Sequence, residues 1–181
     1  AYEMRTSPFD RPRKLQTESA LILRDRLNAL GVVFDDWSIL LAAVLYKWVK
    51  GSLVDDIIEE FGLHPSDHGF LEEIVPKNAL WVLHCVKKLS QGIGCPSSLV
   101  SRIDELTAFV SAGTDDKIAA NLIELQIPGL GRSSVLFLVE KFRPADLSAF
   151  AKIQESEFKK QFPGKEELSA RILEQIVQRL T

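Results

Sequence analysis

The residues with the clearest chemical potential lie in one turn, residues 128–132, between two apolar segments. Gly129 and Gly131 flank Leu130 within this turn. Glycine adopts a positive φ without strain and lets backbone amides approach a ligand closely. Because a helical pattern resumes at Ser133, these amides are expected at a helix start, where the helix dipole favours an anion. The stretch predicts a phosphate-binding turn, and a purely architectural turn between two apolar helices is the alternative.

The same stretch resembles a helix-hairpin-helix motif. In that family the order apolar-Pro-Gly-apolar-Gly is followed by two variable residues, Ser or Thr, and a small apolar residue, which is Val135 here. The resemblance implies contacts with nucleic-acid backbone that carry no base-sequence information. It assigns these contacts to Gly129, Leu130, Gly131, Arg132, Ser133 and Ser134. Residues 162–164, Phe-Pro-Gly, predict a degenerate second hairpin that packs and does not bind.

A wider resemblance covers roughly residues 37–181. The stretches WSILLAAVLYKWVKGSLVDDIIEEFGL, PSDHGFLEEIVPKNALWVLHCVKKL and LQIPGLGRSS occur in this order. They resemble the C-terminal region of superfamily-two DNA helicases of the archaeal stalled-fork and polymerase-theta types. In that family a helical bundle holds a ratchet helix across the channel of translocating single-stranded DNA, and a helix-hairpin-helix domain follows. The family's base-stacking tryptophan falls at Trp81, for which a buried core position is an equal alternative.

Two departures from that family lower the affinity for DNA that we expect. The basic ratchet residue of the family falls at Ile74, so Lys77 and Lys88 are the expected substitutes on neighbouring turns, with Lys87 as an alternative. The arginines that follow the hairpin in the family are reduced here to Arg132. Each missing phosphate contact lowers affinity and its salt dependence. We therefore expect weak binding of single-stranded or forked DNA.

Composition limits the setting in which this chain works. The 181 residues carry a formal net charge of −3, so nucleic-acid binding must depend on local groups. Apolar runs are shorter than the roughly 20 residues of a bilayer span, and the first residues lack a signal peptide. The two cysteines favour reduced thiols. The prediction is a protein without a membrane role that is cytoplasmic, or nuclear in a eukaryote.

Hydrophobic periodicity predicts an all-α fold. The resemblance implies that this fold is a helical bundle followed by a helix-hairpin-helix domain. Residues 1–34 are interpreted as an N-terminal tail and helix, with the end of a preceding domain as the alternative. Residues 35–113 are expected to form the ratchet-like bundle, and residues 114–181 the hairpin domain. Ser52 with Asp55 predicts a capping box, and Pro76 predicts either a kink or a helix that begins there.

No catalytic or metal site is predicted in this segment. There is no phosphate loop, so no ATP hydrolysis and no cofactor are expected here. The resemblance implies that, in a longer parent helicase, ATP and Mg²⁺ would be bound by ATPase cores upstream. Pro65 separates His64 from His68, which disfavours zinc. A helix-hairpin-helix DNA glycosylase is one alternative, although its lysine position is Ser133 and its acid would be Asp146. A helical protein-interaction domain with a vestigial hairpin is another.

Overall fold

The computed structural model describes residues 17–31, 34–164 and 166–180. Within these ranges the chain is 75% helical, with ten α-helices and no strand, so the all-α prediction is confirmed. The chain divides into two compact units. The first ends at Ser111 and the second runs Ala112–Thr181, two residues from the boundary predicted after residue 113. The basic tail at Arg5, Arg11, Arg13 and Lys14 lies outside the described residues.

The first unit contains five α-helices. They are α1 (Glu18–Ala29), α2 (Asp36–Val49), α3 (Val54–Phe61), α4 (Val75–Gly92) and α5 (Ser97–Ala112). A 3-10 turn, Pro65–Asp67, and a π-helical turn, Phe70–Ile74, come before α4. Pro76 is the second residue of α4, but the π-helical turn runs directly into this helix, because Ile74 and Val75 have helical backbone angles. The missing amide hydrogen of Pro76 therefore falls where the π-helical turn passes into the α-helix. Pro76 lies in the first turn of α4, as one predicted alternative has it, although no break in the helical backbone precedes it.

The core of the first unit forms around α2. The Asp35 carboxylate accepts a bond of 2.9 Å from the Ser38 amide and fixes the start of this helix. Trp48 is buried, and its indole Nε1–H donates to the Val110 carbonyl at 2.8 Å, which satisfies the polar atom of a core side chain. The buried side chains around it come from α1 to α4 and from the π-helical turn, and include Ala20, Leu40, Val44, Ile57, Phe61, Leu71 and Val75.

The predicted capping box at Ser52 is wrong. The N-cap of α3 is Leu53, whose side chain makes no capping hydrogen bond. The Ser52 amide instead bonds to the Lys47 carbonyl at 3.1 Å, so this residue closes the end of α2. The chain consequently turns into α3 one residue later than the capping-box pattern requires. The predicted stop at Gly62 is confirmed, because this residue has φ 57°.

The second unit contains the remaining helices. They are α6 (Lys117–Glu124), α7 (Arg132–Phe142), α8 (Leu147–Ala151), α9 (Glu155–Lys159) and α10 (Glu166–Leu180). Asp116 caps α6 by accepting from the Ile118 and Ala119 amides at 2.8 and 2.9 Å. Helices α6 to α10 share one core, which includes Leu122, Ile127, Leu130, Val135, Leu138, Phe150, Phe158, Ile172 and Ile176.

A membrane-spanning helix is not found among the described residues, because none of their helices is long and apolar enough to cross a bilayer.

Candidate nucleic-acid interface

The turn between α6 and α7 faces solvent. Ile127 and Leu130 are only 3% and 8% exposed and anchor the turn in the core of the second unit. Pro128, Gly129 and Gly131 are exposed between and beside these anchors. Buried aliphatic residues hold the turn in place, and the exposed backbone between them is accessible to a ligand. The predicted outward presentation of this turn is therefore present in the structure.

The first turn of α7 presents backbone donors at the surface. Gly131 is the N-cap, and within the described residues no side chain caps this helix. Val135 is the first residue whose amide bonds back along the helix, to the Gly131 carbonyl at 3.0 Å. The amides of Ser133 and Ser134 therefore precede the helical bonding pattern. Ser133 is exposed and Ser134 half-buried, so an anion can approach this positive helix end.

Glycine is suited to these two positions of the turn for different structural reasons. Gly129 has φ 84°, and a Cβ there would lie 2.9 Å from Leu168 Cδ1 and 3.8 Å from Ile172 Cδ1 on α10. Gly131 has φ −75°, and a Cβ there would meet nothing within 4 Å. A positive φ is required only at Gly129, where α10 also packs closely. Gly131 is the position at which added bulk would reach a bound ligand first.

Arg132 is engaged within the protein. Its Nε and Nη2 donate to the Gly113 carbonyl at 3.1 and 2.7 Å, which ties the start of α7 to the segment that precedes α6 in the second unit. Arg179 makes a similar contact from α10, since its Nη1 donates to the Leu125 carbonyl beside the hairpin. Both arginines satisfy carbonyls left open near helix ends. Arg132 therefore positions the hairpin, whatever contact it also makes with phosphate.

The second predicted hairpin packs against the first. Gly164 has φ 73° and supplies the tight turn after Phe162 and Pro163. The Phe162 ring lies 5.3 Å from the ring of Phe158, which is fully buried. Its following helix, α10, is the one that contacts Gly129. This hairpin contributes to the core of the second unit, as its degenerate sequence suggests.

In the first unit, a polar and aromatic face of α4 is open to solvent. Trp81 is 69% exposed, so it is not a core residue. Lys77 and Lys88 are exposed on the same face, one turn before and two turns after this indole. Lys77 also pairs with Glu73 at 3.5 Å. The helix thus presents one aromatic ring between two cations, although the position of Ile74 on this face is apolar.

His84 belongs to this face and was not among the predicted binding residues. It is exposed and follows Trp81 by three residues, a spacing that places both side chains on one helix face. That spacing is readable in the sequence. Lys87 is on a different side of α4 and pairs with Asp104 of α5 at 2.6 Å, which makes it a structural residue.

The alternative chemistries find little support in the described residues. No group of three or more His, Cys, Asp or Glu side chains is placed to hold a metal ion among them. The His64 ring caps the 3-10 turn by accepting from the Ser66 amide at 3.2 Å. The Asp146 carboxylate, the candidate glycosylase acid, accepts from the Ala149 amide at 2.6 Å and caps α8. Its role in the structure is that of a helix cap.

Comparison with known proteins returns no family model, curated protein or solved structure that matches this chain.

Proposed function

We propose that this chain is a non-catalytic, nucleic-acid-binding C-terminal region of a DNA-helicase-like protein, with a helix-hairpin-helix domain after a ratchet-like bundle. The observation that carries the proposal is the exposed start of α7, where amides precede the helical bonding pattern beside an outward glycine turn. ATP and Mg²⁺ are assigned to ATPase cores elsewhere in the parent polypeptide.

The hairpin would hold DNA through its backbone. Phosphate oxygens accept bonds from the amides of Ser133 and Ser134, and the helix dipole adds to their attraction. Gly131 allows the strand to approach because it has no side chain. Since none of these donors reaches a base edge, the contact is independent of sequence. With few cations nearby, affinity is expected to be low and to fall further with salt.

The exposed face of α4 would contact single-stranded DNA. An unpaired base can stack on the Trp81 indole, a contact worth about 1–3 kcal/mol per base and tolerant of base identity. Paired bases cannot offer a free ring face, so this surface favours single-stranded DNA or the open arm of a fork.

Fluorescence anisotropy with labelled oligothymidine and forked DNA tests the proposal at about 50 and 200 mM salt. Gly131→Val is compatible with the extended backbone at that residue and should weaken binding about tenfold without a change in Tm. Trp81→Ala should weaken single-strand binding by a similar factor, also without a change in Tm. Phe34→Ala removes another exposed aromatic ring, 44% exposed, and is the matched control.

The second candidate is a helical protein-interaction domain with a vestigial hairpin. The net charge of −3 and the engagement of Arg132 by Gly113 favour it. The same titrations separate the two functions. If neither DNA binds the wild-type chain at the lower salt concentration, the DNA-binding proposal is rejected. If DNA binds but Gly131→Val and Trp81→Ala both bind as tightly as wild type, the assigned surfaces are rejected.

A further inference from the structure

An apolar face of α4 is exposed on the side away from Trp81. Val82, Val86, Leu89 and Ile93 follow one another at spacings of four, three and four residues, so they form one stripe. Their exposed fractions are 50%, 41%, 67% and 78%. Four large aliphatic side chains in one exposed stripe mark an interaction surface more often than a solvated one. The Trp81 side chain is rotated from the members of this stripe by about 80–140° around the helix axis.

This stripe continues into an apolar cleft of the first unit. The cleft has a volume of about 700 Å³ and lies between α4, α2 and α5. Asn78, Ala79, Val82 and Leu83 form its α4 wall, and Tyr46 and Leu106 line it from the other two helices. Asn78 and Tyr46 carry the only polar side chains among its described lining residues. The cleft therefore suits an aliphatic occupant.

The occupant must bring its own backbone hydrogen bonds. The described walls of the cleft come mainly from helices, whose interior amides and carbonyls are bonded within each helix. An extended peptide would leave its backbone groups unbonded in an apolar cleft, which is strongly unfavourable. A helix satisfies these groups internally and presents only side chains. A helix with projecting aliphatic residues is the matching partner.

We propose that this face pairs two copies of the chain through antiparallel contact of their α4 helices. The projecting side chains of Leu89 and Ile93 and the concave region near Ala79 lie on the same face, on opposite sides of Val86. A two-fold axis through Val86 exchanges position 93 with 79 and position 89 with 83. Each copy thus inserts its projecting residues into the cleft of the other, as an isologous interface requires.

Charge around the face is compatible with a second copy. Lys87 pairs with Asp104 at 2.6 Å, and Arg102 pairs with Glu105 on α5. Because these charges are neutralised within one chain, two identical faces can approach without like-charge repulsion. A partner with a strongly charged face would gain no complementary charge here.

The exposed apolar area is also of the size that a dimer needs. Leu106 of α5 is 43% exposed and lines the cleft together with Val82, so it extends the α4 stripe. Together the five side chains expose on the order of 500 Å² of surface, more than half of the roughly 800 Å² per partner that a standard interface buries. The dimer does not depend on DNA binding, because the Trp81 side of each α4 stays outside the contact.

Sedimentation velocity of the full chain over a concentration series tests the proposal. Wild type should sediment as a dimer with a concentration-dependent monomer fraction. Leu89→Glu should raise the dimer dissociation constant by about a hundredfold or more, because it places a charge in an apolar contact. Its circular dichroism should not change, since Leu89 is 67% exposed in one copy, and its Tm should equal that of the wild type diluted until it is monomeric. Phe137→Glu is the control, because it changes an exposed apolar side chain of the second unit, 50% exposed, and it should leave the dimer intact.

A cross-linking experiment locates the axis independently. Both native cysteines are first removed by Cys85→Ser and Cys95→Ser. In this background, a short bismaleimide should cross-link two copies that carry Val86→Cys. It should not cross-link copies that carry Lys88→Cys, which lies on another side of α4. Three outcomes would overturn the proposal. The first is a wild-type chain that is monomeric throughout the concentration series. The second is an average mass that rises beyond that of a dimer. The third is equal cross-linking at both cysteine positions.

Discussion

Gly129 and Gly131 are two residues apart, and we expect alanine at these positions to have very different effects on stability. At Gly129, with φ 84°, an alanine side chain costs about 1–2 kcal/mol because the left-handed region is strained for residues with a Cβ. Its Cβ would also lie 2.9 Å from Leu168 Cδ1, closer than the roughly 3.5–4.0 Å of a normal carbon contact. Moving Leu168 adds about 1 kcal/mol. The sum is about 2–3 kcal/mol.

At Gly131 the same substitution meets open space at φ −75°, so we expect a change within about 0.5 kcal/mol. Urea denaturation followed by circular dichroism measures both free energies of unfolding. For a unit of this size, Gly129→Ala should lower the melting temperature of the second unit by roughly 10–20 °C. Equal destabilisation by the two variants would refute the distinction between them, and a neutral Gly129→Ala would refute the close approach of α10.

Three further substitutions test the bonds that hold the fold. Arg132→Lys should destabilise the second unit by about 1–2 kcal/mol, because lysine cannot reproduce the two-nitrogen contact with the Gly113 carbonyl; urea denaturation that shows wild-type stability would contradict this role. Trp48→Phe should cost about 1–3 kcal/mol in the first unit by leaving the buried Val110 carbonyl without its indole donor, measured by calorimetry. Asp116→Ala should cost about 1 kcal/mol through the lost cap of α6, and Asp116→Ser should restore most of it in thermal melts.

The sequence predicted features that arise from local chemistry. A helix start at Asp35 or Asp36, another at Thr114 with Asp115 and Asp116, and helix stops at Gly62 and Gly113 are readable from the sequence, because caps and left-handed turns involve residues only a few positions apart. Periodicity predicted the all-α class for the same reason. The prediction of a capping box at Ser52 was wrong because α2 ends and α3 begins within the same short connection. A local sequence pattern does not specify which of the two helices a residue such as Ser52 bonds to.

The sequence by itself determined the helices, most of their ends and the glycine turn that presents the start of α7. Only the tertiary structure decided which helix faces are covered. Trp81 and Val82 have equal claims to a core position by spacing, and both are exposed because no described element packs over those sides of α4. The partners of Gly129 on α10 and of Arg132 at Gly113 are likewise distant in sequence. Contacts of this kind depend on how whole helices pack together, which the residues around a single position do not specify.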